Sequence, residues 1–220
     1  MDTIKARNPR NLKLTERQVE IVCGSLLGDG YLVKTTRGHA FRVNHSVAQK
    51  SYVDWKYREL EMLVNSSPRS SNNCYYFRTV THDHFSEMRD QFYNGKNKIL
   101  PENFEKMLSP LVLAVWIMDD GAKDWNQLRI NTQSFSKFEN EEMASIIKAK
   151  LGINVTLNRD KDRFRLRVSA ESMSIIRQLV QPHIITSMQY KLFPVTTSDD
   201  RLCNENLRLD DVLSGNTSPS

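Results

Sequence analysis

This sequence lacks the features that anchor, cross-link or export a chain. Its longest apolar run, Leu111–Met118, falls far short of the roughly 20 residues a membrane span needs. No positively charged stretch followed by an apolar segment opens it, so no secretory signal is expected. The three cysteines, Cys23, Cys74 and Cys203, lie far apart and form no CxxC pair, which argues against a zinc knuckle or a disulfide framework and favours a reducing compartment. His82-Asp83-His84 suggests a metal motif, but no Cys or carboxylate set stands at ligand spacing nearby, so it reads as a helix start.

What is present is an ordinary globular balance, 39% hydrophobic and 26% charged, with a net charge of +5 that suits a polyanionic partner such as nucleic acid. The 220 residues suffice for one large domain or two small ones. Lys5, Arg7, Arg10 and Lys13 make a basic leader over residues 1–14, and the polar stretch 198–220 reads as a partly disordered tail.

The strongest signal is internal. Ile21–Gly30 ends in Asp29-Gly30, and Leu113–Gly121 ends in Asp120-Gly121. Downstream, Phe41-Arg42-Val43-Asn44 matches Leu128-Arg129-Ile130-Asn131, and Lys98-Ile99-Leu100-Pro101 matches Lys191-Leu192-Phe193-Pro194. Asp29 to Asn44 is 15 residues and Asp120 to Asn131 is 11; Asp29 to Lys98 is 69 and Asp120 to Lys191 is 71. Three landmarks in one order at nearly one spacing mark a diverged duplication, with halves at 15–101 and 102–197.

Each half reads as the same string of elements. Thr15 with Gln18 has the form of a capping box, and Ser109-Pro110 supplies a cap followed by Pro at the first helical position. Each apolar first helix should stop at its Gly in the left-handed conformation. Phe41–Ser46 and Leu128–Thr132 alternate as half-buried strands. Second helices are expected over Gln49–Val64 and after the capping box Ser136–Glu139. In Arg163–Val168, Phe164, Leu166 and Val168 face a core and three arginines face away; Asp160–Asp162 turns back to a strand near Val155–Arg159. Third helices are expected over His82–Asn94 and Glu171–Gln181. Trp55, Tyr57 and Phe92 sit at helical spacing and read as packing. The fold class is α+β: two pseudo-symmetric αββαββα halves, each an antiparallel sheet with helices on one face.

The chemistry should centre on Asp29 and Asp120. A carboxylate at the negative end of a helix is unfavourable unless a cation answers it. The helix's unsatisfied carbonyls add oxygen donors for a hard ion such as Mg²⁺, so two such ends side by side suit metal-assisted phosphodiester hydrolysis. Lys98 and Lys191, each three residues before a proline, are candidates to stabilise charge at a scissile phosphate. Arg42, Asn44, Arg129, Asn131, Arg163, Arg165 and Arg167 would face outward, where arginine can pair with guanine in a major groove; Arg78, Arg159 and Gln133 join them as candidate DNA contacts. His45-Ser46 and Thr132-Gln133 follow the matched strands and could touch water or phosphate near the metals.

Val22–Gly30 and Leu113–Gly121 resemble the nine-residue LAGLIDADG signature, with Asp29 and Asp120 at its metal-binding eighth position. With Asn131–Phe135 and Tyr190–Leu192, the resemblance is to monomeric, intron-encoded members of the LAGLIDADG homing endonuclease family and covers residues 15–197. It implies a two-helix interface between halves and saddle-shaped sheets astride a long double-stranded DNA site. It also implies cleavage across the minor groove to leave short 3′ overhangs, with Mg²⁺ as cofactor and Mn²⁺ as a substitute. The carbonyls of Gly28 and Asp119 would join the metal shell, and Lys98 and Lys191 would take the family's lysine role. One departure stands out: Gly24 and Gly28 of the first motif align with Val115 and Asp119 of the second, so the interface is asymmetric. An intron RNA maturase on the same fold is the alternative function, with intron RNA as partner; a non-catalytic DNA-binding regulator fits less well, since a pure binder has no need of a carboxylate pair. A free-standing protein is expected rather than an intein, in an organelle or a prokaryotic cytoplasm.

Overall fold

A computed structural model describes residues 12–193; most of the basic leader and the polar tail lie outside the described residues. The first half contains α1 (Glu16–Leu27), β1 (Tyr31–Thr35), β2 (Gly38–Ser46), α2 (Lys50–Leu60), β3 (Arg69–Ser71), β4 (Cys74–Arg78) and α3 (Asp83–Phe92). A small hairpin, β5 (Tyr93–Asn94) and β6 (Asn97–Lys98), and the single turn α4 (Phe104–Met107) lead on. The second half repeats the order with α5 (Pro110–Asp120), β7 (Gly121–Asp124), β8 (Gln127–Ile130), α6 (Lys137–Leu151), β9 (Val155–Asp160), β10 (Arg163–Val168) and α7 (Met173–Val180). The antiparallel sheets have matching strand orders, β1-β2-β4-β3 and β7-β8-β10-β9.

The helix starts follow from their caps. Thr15 Oγ1 accepts from Gln18 N at 3.2 Å while Gln18 Oε1 accepts from Thr15 N at 3.1 Å, and Ser136 with Glu139 closes the same reciprocal pair. Ser109 Oγ accepts from Val112 N at 3.1 Å, with Pro110 at the first helical position. Every α5 residue from Leu111 to Asp119 is buried, as is the last part of α1 from Ile21 to Leu27. These two helices pack on each other along the join between the halves.

The glycines of the first motif serve that packing. A Cβ at Gly24 would lie 2.6 Å from the Val112 carbonyl oxygen, and one at Gly28 would lie 2.5 Å from Asp119 Cβ. The expected left-handed helix ends are corrected: α1 already stops at Leu27, capped by Gly28 at φ −101°, Gly121 caps α5 at φ −69°, and Gly30 does not take a positive φ. The left-handed glycine cap occurs instead at Gly152, φ 68°, where α6 ends.

Other boundaries moved for local reasons. α2 stops at Leu60 and tightens into a 3₁₀ turn over Glu61–Leu63 rather than continuing to Val64. α3 begins after His82, whose ring accepts from His84 N at 3.2 Å, and ends at Phe92 because Tyr93 enters the hairpin opposite Lys98. α7 is shortened to Met173–Val180, with 3₁₀ turns on both sides. β8 stops at Ile130 rather than Thr132, and Asn131 N donates to the Asp120 carbonyl at 3.1 Å. Among the described residues no helix is long and apolar enough to cross a membrane, and Cys23 and Cys74 are free thiols.

Candidate active site

Asp29 follows the end of α1 and Asp120 ends α5, so the helix pair brings the two carboxylates to one end of the interface. The Asp29 charge is felt at Asp120. Burial pushes Asp120 up to about 8, with the Asp29 and Asp119 charges adding to it. Asp29 is raised by burial and then by Asp119, while Lys56, Lys191 and Lys98 pull it back. Such carboxylates favour a bound proton or a cation. Among the described residues no three His, Cys, Asp or Glu side chains are grouped to hold a metal by themselves. The donors at hand are Asp29, Asp120 and helix-end carbonyls, an all-oxygen set that fits a hard ion completing its shell with water and substrate phosphate.

The two lysines converge on those helix ends. Lys98 Nζ donates to the Gly28 carbonyl and, at 3.1 Å, to the Gly30 carbonyl. Lys191 Nζ donates to the Met118 carbonyl at 2.5 Å and the Asp119 carbonyl at 2.8 Å. Each ammonium thus answers the partial negative charge of a helix C-terminus. The carbonyls of Gly28 and Asp119 are lysine acceptors here, and each keeps a second lone pair. Burial lowers the pKa of both lysines, against the pull of the surrounding aspartates.

Three further side chains, those of Asp119, Lys56 and Tyr52, were not singled out from the sequence; they gather around His45, which was expected near the metals. The Asp119 side chain fills the space left by Gly28 and meets Lys56 of α2 at 2.7 Å, with both side chains fully buried. His45, its ring 3% exposed, stands with Nε2 3.6 Å from Asp119 Oδ1 and Nδ1 3.7 Å from Asp29 Oδ2. Burial and then the Lys56 charge hold His45 down to about 4, so its ring is neutral. Tyr52 completes the cluster: its ring lies 4.4 Å from Lys56 Nζ, and its hydroxyl donates to the Val115 carbonyl at 3.3 Å.

The strand faces carry the arginines. In the first sheet the register pairs Arg42 with both Tyr31 and Arg78, and Asn44 with Tyr76; the Arg42 guanidinium lies 4.9 Å from the Tyr76 ring centre and 5.9 Å from that of Tyr31. In the second, Asp124 Oδ2 stands 3.5 Å from Arg129 Nε and 3.7 Å from Arg167 Nη2. Asp160 Oδ2 accepts from Gln133 Nε2 at 2.9 Å and lies 3.8 Å from Arg165 Nη1, while Arg163 Nη1 donates to the Gln133 carbonyl at 2.9 Å. Arg159 pairs with Phe164, on the face opposite Arg163, Arg165 and Arg167, and its Nε donates to the Lys161 carbonyl at 3.0 Å. Asn44 Oδ1 and the Nε atoms of Arg42, Arg129, Arg165 and Arg167 are buried without a hydrogen-bond partner. That spare capacity suits a ligand presenting donors and acceptors along the sheets.

A duplicated α+β frame with paired carboxylates at its helix join and arginine-bearing sheet faces defines a protein built to act on nucleic acid. The chain belongs to the LAGLIDADG DNA endonuclease family, whose model matches residues 19–176. It is similar to cytochrome b mRNA maturase bI2 of Debaryomyces hansenii, 29% identical, over 83% of this chain and 76% of that protein. The protein of the same name from Saccharomyces cerevisiae is 30% identical over 79% of this chain, which spans 47% of that protein's length. Among solved structures, the homing endonuclease I-WcaI bound to its DNA recognition sequence matches with a TM-score of 0.76 and 25% identity, over 83% of this chain and 88% of that one.

Proposed function

We propose that the protein is a site-specific double-strand DNA endonuclease that hydrolyses one phosphodiester on each strand, leaves short 3′ overhangs and works as a monomer. The observation that carries this reading is the pairing of Asp29 and Asp120 at adjacent helix ends, each end held by its own lysine. The likeness to DNA-bound I-WcaI supports duplex DNA as substrate. Asp29 and Asp120, with the carbonyls of Gly28 and Asp119, would hold Mg²⁺, or Mn²⁺ in its place. Such an ion, when bound, supplies Lewis acidity for water activation and leaving-oxygen charge.

The chain's own residues do the rest. Lys98 and Lys191 fix the helix-end carbonyls and place positive charge beside the phosphate being attacked. Arg42, Asn44, Arg78, Arg129, Arg163, Arg165 and Arg167 bind the duplex from the two sheet faces, some at base edges and some at phosphates. The test is incubation of a plasmid library carrying candidate insertion sites with Mg²⁺ and with EDTA: linear product is expected only with the metal. Similarity to two mRNA maturases favours a second reading, assistance to intron splicing. Binding and spliced intron RNA without any DNA cleavage would decide for it.

A further inference from the structure

The two halves are not chemically equivalent around their aspartates. Aligned on Asn44 and Asn131, His45 corresponds to Thr132, and Lys56, twelve residues on from Asn44, corresponds to Met143. The fold supports this alignment, since α2 and α6 both begin six residues after the matched asparagine. Gly28 corresponds to Asp119, each preceding its aspartate. Three positions that carry an imidazole, an ammonium and no side chain in the first half carry a hydroxyl, a thioether and a carboxylate in the second.

These differences assemble on one side. The second half's extra carboxylate crosses the join into the space at Gly28 and is held by Lys56. His45 lies between that carboxylate and Asp29, with one ring nitrogen toward each. Among the described residues its ring is the one basic side chain within 4 Å of the Asp29 carboxylate. Tyr52, with ring centres 5.2 Å apart, backs the imidazole. The counterpart Thr132 is committed elsewhere: its hydroxyl donates to Asn140 Oδ1 and accepts from Leu166 N at 3.2 Å. Met143 is buried and apolar, so nothing equivalent reaches Asp120.

We infer that His45, braced by the Lys56–Asp119 pair, is a positioning residue for the Asp29 carboxylate alone, so that the two strand cuts depend on different residues. The inference rests on the nuclease reading above. Asp29 is half-exposed, at 51%, and an exposed carboxylate samples several rotamers unless a neighbour restricts it. Asp119 cannot move to compensate, because leaving Lys56 would strand a buried charge. His45 Nε2 and Asp119 Oδ2, which share this enclosed space, are both buried without a hydrogen-bond partner.

The experiment uses duplex DNA labelled on each strand, so that one strand is the internal control for the other. His45→Thr, which installs the second half's residue, should slow one strand's cut by about 10-fold to 100-fold, as loss of a ligand-orienting neighbour does. The other strand should stay within about twofold, and nicked product should accumulate. Lys56→Met with Asp119→Ala removes the brace and should bias the same strand. A readout without turnover accompanies this: in calorimetric titration of the protein–DNA complex with Ca²⁺, His45→Thr should weaken binding of part of the ions and leave DNA affinity in EDTA unchanged. Equal slowing of both strands, an unchanged strand ratio, or unchanged Ca²⁺ binding would overturn the inference. Failure of the unaltered protein to cut either strand is a different result, which overturns the nuclease reading and this inference with it.

Discussion

Lys56 and Asp119 meet at 2.7 Å across the join between the two halves, with neither side chain exposed to solvent. Both ions have given up hydration, so the pair is worth little against an apolar substitute, but each member is costly to leave alone. Lys56→Met by itself should lower the free energy of unfolding by about 3–5 kcal/mol, because Asp119 is left charged and buried. Lys56→Met with Asp119→Ala should recover most of that loss. Denaturant unfolding of the three proteins checks it; equal destabilisation by the single and double variants would count against a buried ion pair.

Asp124 restrains two arginines of the second sheet face, Arg129 and Arg167. Its carboxylate keeps them from acting as free phosphate binders, so Asp124→Asn should strengthen non-specific DNA binding. The slope of log affinity against log salt should steepen by roughly one to two, the count of arginines freed. Binding to specific and random duplexes over a salt series measures both, and the ratio between them should fall.

Asp120 gives a pH signature. Folding holds its carboxyl up near 8, whereas the unfolded chain has it near the ordinary 3.8. The folded state therefore keeps a proton that the unfolded state has lost, and this stabilisation disappears as pH rises through 8. His45, held near 4, is neutral in both states above about 6.5 and does not oppose the trend there. Metal-free protein should lose stability from about pH 6.5 to 8. Added Mg²⁺ should raise the melting temperature most at the upper end, where no proton has to be displaced. Asp120→Asn should flatten both effects, and melting curves with and without the ion decide it.

Much of this architecture could be read locally. Thr15 with Gln18, Ser109 with Pro110, and Ser136 with Glu139 mark helix starts because a cap bonds residues two or three positions away. The Arg163–Val168 alternation shows its two faces because a strand has period two. The duplication located Asp29, Asp120, Lys98 and Lys191. Lys56 stayed hidden because a lysine in an amphipathic helix reads as solvated, and its partner is 63 residues away in the other half. Asp119 carried the available hint: an acid in the last turn of an otherwise apolar helix, aligned with a glycine, has to find a cation. The face Arg159 takes was not legible for a related reason, since it is set by pairing with Phe164 across the hairpin.

The central claim is that Asp29 and Asp120 are two reaction centres, both required to break a duplex. The most direct measurement is plasmid linearisation in Mg²⁺ by Asp29→Asn and by Asp120→Asn, beside DNA affinity in EDTA. Each variant should bind its site with unchanged affinity and yield no linear product. Linearisation by either one at the rate of the unaltered protein would contradict the account.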